Sequence, residues 1–176
     1  MRIRRRIVLV AVLVLMALTG LALVSRQHRA RALALEGKQA SIVFVCRNGV
    51  AMSVWSALTF DRLASERGLS LRASSRAAAS SFTEVPLRMK LALALDGYQV
   101  GGYRPQVISG ADIHGAERVI LIDTDLPPSL SASGAAIEIW QGFPPMREQY
   151  FASRAALYTR VEDLVARLAA STESSR

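Results

Sequence analysis

Any covalent chemistry in this chain has to begin with one sulfur. Cys46 is the single cysteine in 176 residues, and it closes the apolar run Ser41-Ile42-Val43-Phe44-Val45. Arg47, Asn48, Gly49, Val50, Ala51 and Met52 follow, and then Ser53. The β-branched and aromatic run reads as a buried strand, Asn48-Gly49 as a turn, and Ser53 as the start of a helix. Backbone N–H groups at such a turn, together with the positive end of a helix dipole, favour an anion, and the same field favours a thiolate. A thiolate held there could be a nucleophile. A small buried hydrophobe is equally a common role for a free cysteine, and position alone leaves both readings open. One cysteine excludes an internal disulfide framework and a Cys-rich zinc site, and His28 and His114 are too far apart in sequence to suggest a metal cluster. No metal and no cofactor is expected. His28, His114, Trp55 and Trp140 are read as structural or surface residues.

The elements that must hold this loop follow from the surrounding pattern. The helix after Cys46 should run through Trp55, Leu58 and Leu63 and stop at Gly68. A second strand is expected over residues 70–75. Val85, Leu87, Met89, Leu91, Leu93 and Leu95 alternate like a strand, yet Leu, Met, Lys, Arg and Ala favour helix. Thr83 as a cap, Pro86 in the first turn and Gly97 at the end predict a helix. Arg118 to Asp123 and Ala136 to Trp140 read as further strands. Leu157, Tyr158, Val161, Leu164, Val165 and Leu168 form one apolar stripe of a closing surface helix. Alternating strands and helices imply a three-layer, doubly wound α/β fold with a mostly parallel four-stranded sheet, whose ligands bind beyond the carboxyl ends of the strands.

The formal net charge of +8 is concentrated at the amino end. Residues 39–176 carry 14 basic and 13 acidic side chains, so the body has no excess charge for nucleic acid. Residues 1–6 form a basic tail, and Ile7 to Val24 is an unbroken 18-residue run of apolar or small residues. That length suits one transmembrane helix or signal anchor. A cleaved signal peptide ending near Gly20-Leu21-Ala22 is the alternative, but Leu23 and Val24 continue the apolar run past that point. Basic residues flank both sides, so orientation stays open. Residues 25–39 read as a stalk, 40–169 as the domain, and 170–176 as a disordered Ser-rich tail.

The segment Ser41 to Ser53 resembles the phosphate-binding loop of the low molecular weight protein tyrosine phosphatases and the related arsenate reductases. That family writes a hydrophobic strand, then Cys, five residues, Arg and Ser. The resemblance continues through roughly residues 40–168. Leu95 to Pro105 is similar to the family's glycine turn and "G-H-R" segment, Ala111 to Asp123 to the strand after "E-E-A-D", and Ile137 to Pro145 to its "W-D-x-P-D-P" loop. It implies that Cys46 attacks phosphorus, that Ser53 bonds the sulfur, and that loop residues 47–52 bind phosphate. An arginine would grip the equatorial oxygens and an aspartate would protonate the leaving group.

Here the chain departs from the pattern. Met52 stands where the arginine belongs, Asn48 comes one position early so that Gly49 takes the asparagine's place, and Gln141 to Pro145 contains no carboxylate. Arg47 could reach the loop mouth or stay a solvated side chain; Arg76 and Arg104 are further candidates for compensating charge. Asp123, Asp125 and Glu138 are the nearest carboxylates in sequence, with Asp123 and Asp125 placed to cap the loop after a strand. Reductases that relay through thioredoxin need additional cysteines, and there are none. The expectation is a membrane-tethered, cysteine-dependent phosphatase acting on a phosphorylated or anionic substrate. The alternative is a catalytically impaired pseudophosphatase that binds an anion or a protein.

Overall fold

The computed structural model describes residues 12, 14–16, 19–20, 35–36, 40–130 and 135–174. The reading of 7–24 as a membrane span therefore falls largely outside the described residues, as do 1–6 and most of 25–39. Among the described residues no helix is long and apolar enough to cross a membrane.

Four strands, β1 (Ile42–Cys46), β2 (Ala73–Ala77), β3 (Arg118–Ile122) and β4 (Ala136–Trp140), form one sheet in the order β2-β1-β3-β4. Every pairing is parallel, with Cys46 beside Ala77 on one side and Ile122 on the other. Among the described residues from 40 onward the helices are α1 (Met52–Glu66), α2 (Leu87–Leu95), α3 (Gly110–Gly115) and α4 (Tyr150–Ser174). Period-two alternation along β1 divides its side chains between two cores. Ile42, Phe44 and Cys46 pack with Trp55 and Phe60 of α1 and with Val161 and Leu164 of α4. Val43 and Val45 join Val119, Leu121 and Ile113 of α3 on the opposite face. The expected fold is present, with a sheet that is wholly parallel. The chain leaves β1 toward β2 on one side and returns to β3 on the other. A crevice opens at such a switch, beyond the carboxyl ends of β1 and β3.

Several expectations shift in detail. β2 begins three residues later than expected, at Ala73, whose N–H donates to the Asp61 carboxylate of α1 at 2.8 Å. Its sequence, Ala-Ser-Ser-Arg-Ala, is wholly buried although three of its five residues are polar. Thr83 does not cap α2: the preceding residue is Pro86, whose fixed φ admits the helix without a side-chain bond. Ser53 lies inside α1, and the helix starts at Met52. The tail expected to be disordered from residue 170 continues α4 through Ser174 instead. Ser171 and Thr172 hydroxyls donate back to the Leu168 carbonyl, so these small polar residues satisfy themselves within the helix.

Candidate active site

The loop after β1 is held from outside by four bonds to successive carbonyls. Ala78 N–H donates to Cys46 O and Ala79 N–H to Arg47 O, both at 2.9 Å. The Ser80 hydroxyl donates to Asn48 O at 3.1 Å, and the Tyr103 hydroxyl to Gly49 O at 3.0 Å. All peptide bonds here are trans, so each C=O points away from the N–H of the next residue. Turning the carbonyls of 46–49 outward thus turns the N–H groups of 47–50 inward. Such a row of inward N–H groups, completed by the start of α1, has the geometry of a backbone nest suited to an anion. Gly49 makes the turn possible. Its φ is +65°, and a Cβ there would sit 3.0 Å from Ala77 Cβ and 3.1 Å from Ala77 N. Glycine and asparagine both adopt this left-handed conformation, but only glycine fits so close to β2.

Behind the loop, the Cys46 sulfur lies 3.0 Å from the Ser53 hydroxyl. Ser75 of β2 donates to Ser53 at 2.9 Å, which leaves the Ser53 hydrogen for the sulfur. The Tyr103 hydroxyl lies 3.1 Å from Ser75 Oγ. Burial pushes the Tyr103 phenol up to about 12, with the Ser75 bond opposing, so it remains a donor at neutral pH. The resemblance implied that Ser53 bonds the sulfur, and the structure brings the two within hydrogen-bond distance. No local pattern marks Ser75, although it falls within the strand expected over residues 70–75, nor Tyr103.

A cavity of about 550 Å³ opens over this loop, and Cys46, Arg47, Asn48, Val50, Ala51 and Met52 line it. Gly49 and Ser53 stand behind the wall. Phe82, Met89 and Met146 add apolar surface. Two charged groups missed in sequence also reach the cavity: Arg147 and Glu148, bonded to each other at 2.9 Å. They follow Pro144-Pro145-Met146, just beyond the 141–145 segment that resembles the acid loop. Asp123 lines the cavity as well. Its φ is +45°, and its carboxylate accepts from Gly142 N–H at 2.8 Å and Phe143 N–H at 3.1 Å. It pins the loop after β4, which is a cap of the kind expected after a strand.

The other candidates lie elsewhere. Arg76 is buried and bonds Asp112 at 2.8 Å, while its guanidinium also donates to the carbonyls of Leu35 and Glu36. Burial alone would raise the Asp112 carboxyl, but the bonds from Arg76 and Ser109 outweigh it and hold it below the ordinary range. Arg76 therefore serves the architecture and not the cavity. Arg104 is exposed, and its N–H donates to the Glu36 carboxylate. Glu138 is bonded to Trp140, Arg118 and Arg167, and Asp125 is exposed outside the cavity wall.

No protein-family model matches the chain. No curated protein matches it either. Solved structures do. An arsenate reductase from Archaeoglobus fulgidus is 20% identical with a TM-score of 0.56, over 71% of this chain and 98% of that one. A low molecular weight protein tyrosine phosphatase from Streptococcus pyogenes is 15% identical with a TM-score of 0.59, over 73% and 93%. A protein tyrosine phosphatase from Entamoeba histolytica is 14% identical with a TM-score of 0.61, over 76% and 99%. A four-stranded parallel sheet, a cysteine loop at its switch point and these likenesses lead to one conclusion: the chain has the fold shared by low molecular weight protein tyrosine phosphatases and arsenate reductases.

Proposed function

We propose that this protein is a membrane-tethered, phosphatase-like protein that binds the phosphoryl group of a monoester in the 46–52 loop and attacks it with Cys46. The observation that carries the reading is the Cys46–Ser53 contact at 3.0 Å inside a loop whose carbonyls at 46–49 are tied off outward. Such a loop solvates a thiolate and a phosphoryl group with the same N–H groups. In the reaction the sulfur forms a bond to phosphorus as the ester P–O bond breaks. The leaving oxygen takes a proton, and water then hydrolyses the phosphocysteine to inorganic phosphate. Glu148 is the carboxylate assigned to that proton, because both oxygens of Asp123 are occupied by backbone N–H groups. Arg147, and Arg47 beside the nucleophile, supply positive charge from the rim in place of an interior arginine.

Removing an oxyanion clamp costs on the order of 10²–10³ in rate, so turnover through a rim guanidinium is slow. The wall position of Met52 favours a second reading, in which the site binds an anion without turning it over. The membrane tether is supported by the Ile7 to Val24 run and by Val12, Val14, Leu15 and Met16, which are helical and solvent-facing. The Thr19 hydroxyl is satisfied by the Leu15 and Met16 carbonyls, as a helix in hydrocarbon requires.

Hydrolysis of p-nitrophenyl and phenyl phosphate by the full chain in detergent tests the reading. Cys46→Ser should abolish both activities, and Glu148→Gln should slow phenyl phosphate more, because its leaving group needs the proton more. Activity that survives Cys46→Ser would overturn the nucleophile. Binding of phosphate without turnover would select the second reading.

A further inference from the structure

An alternating apolar sequence has an unusual consequence on a helix. Steps of two residues rotate by about 200°, so the helical positions 87, 89, 91, 93 and 95 separate into two stripes on nearly opposite faces. Val85, Met89 and Leu93 are buried in the core. Leu87, Leu91 and Leu95 form the other stripe and are 69%, 61% and 69% exposed. They span an arc of about 80°, with Arg88 just beyond one edge and Lys90 beyond the other. Lys90 is paired with Glu84 at 2.6 Å, and Arg104 is close enough to act on Glu84 as well, so the flanks remain basic overall. Apolar side chains along the exposed crest with basic side chains on both shoulders are the pattern of a helix lying in a bilayer interface. Its leucines enter the acyl boundary while the cations meet anionic headgroups.

The position of α2 fits that occupant. Met89 lines the Cys46 cavity, and Asp96, just past the helix end, accepts from Trp55 Nε1 of α1 and Tyr150 Oη of α4, both at 2.7 Å. The helix therefore lies across the end of the sheet where the cavity opens. The stalk reaches the same end: Leu35 is buried, and its carbonyl and that of Glu36 accept from Arg76, next to Ala77 at the carboxyl end of β2. Ten residues separate Val24 from Leu35, a reach of at most about 35 Å when fully extended. A domain so tethered keeps α2 within range of a bilayer.

We propose that the Leu87/Leu91/Leu95 face of α2 is a second membrane contact, which lays the domain on an anionic bilayer. The inference rests on the membrane-tether reading and is tested separately from it. The full chain carrying Cys46→Ala and Leu91→Cys, labelled on the introduced thiol with an environment-sensitive fluorophore, is reconstituted with vesicles of phosphatidylcholine and phosphatidylglycerol. A second chain carries the label through Ser70→Cys, before the amino end of β2. Brominated lipid should quench and a blue shift should mark the label at 91, and neither should occur at 70. Resistance to alkaline carbonate extraction reports the tether. Extraction resistance without quenching at 91 would overturn the second contact and leave the tether standing. Quenching at 91 in an extractable protein would uphold the contact and overturn the tether, and absence of both would overturn both. Oxidative cross-linking of the unlabelled thiol at 91 between copies would replace the bilayer by a second chain and also overturn the proposal.

Discussion

Gly49 carries more of the site than its size suggests. It needs a φ of +65° and has Ala77 of β2 at 3.0 Å from the place of a Cβ. Gly49→Ala should cost about 1–3 kcal/mol from the left-handed backbone and the crowding together, read as a lower urea midpoint at unchanged slope. Gly49→Asn should recover the backbone share but not the space, so it should remain destabilised; a fully stable asparagine variant would contradict the close approach. Asp123 presents the converse case, a non-glycine residue at φ +45° retained for its side chain. Asp123→Ala should cost about 1–2 kcal/mol for two lost bonds to the loop after β4. The Gly142 and Phe143 amides should then exchange faster with solvent, and unchanged exchange would remove Asp123 from its pinning role. At this scale the sequence disclosed Cys46, Ser53 and the loop between them because their spacing is local. Ser75, Tyr103, Arg147 and Glu148 reach the site from other elements, and no local spacing announces such convergence.

At the scale of the element, α2 shows how an ambiguous pattern is decided. Period-two alternation predicts a strand, but proline before the segment and glycine after it, with good helix formers between, select a helix that must leave one apolar stripe unburied. A strand reading Ala-Ser-Ser-Arg-Ala has no hydrophobic pattern to mark it; Ser75 and Arg76 are buried because Ser53, Tyr103 and Asp112 meet them, while the Ser74 hydroxyl is buried without a partner among the described residues. The start of that strand is tied to α1 by Asp61, whose carboxyl is raised from 3.8 to about 6 by burial, against the Ala73 N–H bond and Arg72. Because the folded value lies above the unfolded one, Asp61 favours the folded state fully below about pH 4, and that contribution is lost as pH rises through about 6. Asp61→Asn keeps an acceptor for Ala73 and removes the titration. Its stability relative to the natural chain should therefore rise by up to about 3 kcal/mol between about pH 4 and pH 7, measured by chemical denaturation at each pH. A pH-independent difference would contradict the buried, protonatable carboxyl.

For the whole molecule, the doubly wound topology follows from alternating strands and helices, and it places the cysteine loop at the switch between β1 and β3 whatever the loop contains. Fold and loop position were thus legible together. Whether the loop still grips an oxyanion depends on where the rim guanidinium groups lie in space, and their arrangement is tertiary. On the proposed function, residues 46–52 form an oxyanion site with Cys46 at its base. Vanadate, a phosphate mimic that bonds to a thiolate, tests it most directly by equilibrium binding to the full chain, to Cys46→Ser and to Met52→Arg. The natural chain should bind vanadate, Cys46→Ser should bind it more weakly, and Met52→Arg should bind at least about tenfold more tightly. Two charge-assisted bonds are worth roughly 3–6 kcal/mol before the cost of ordering the side chain. No binding by the natural chain, and none gained in Met52→Arg, would contradict the account.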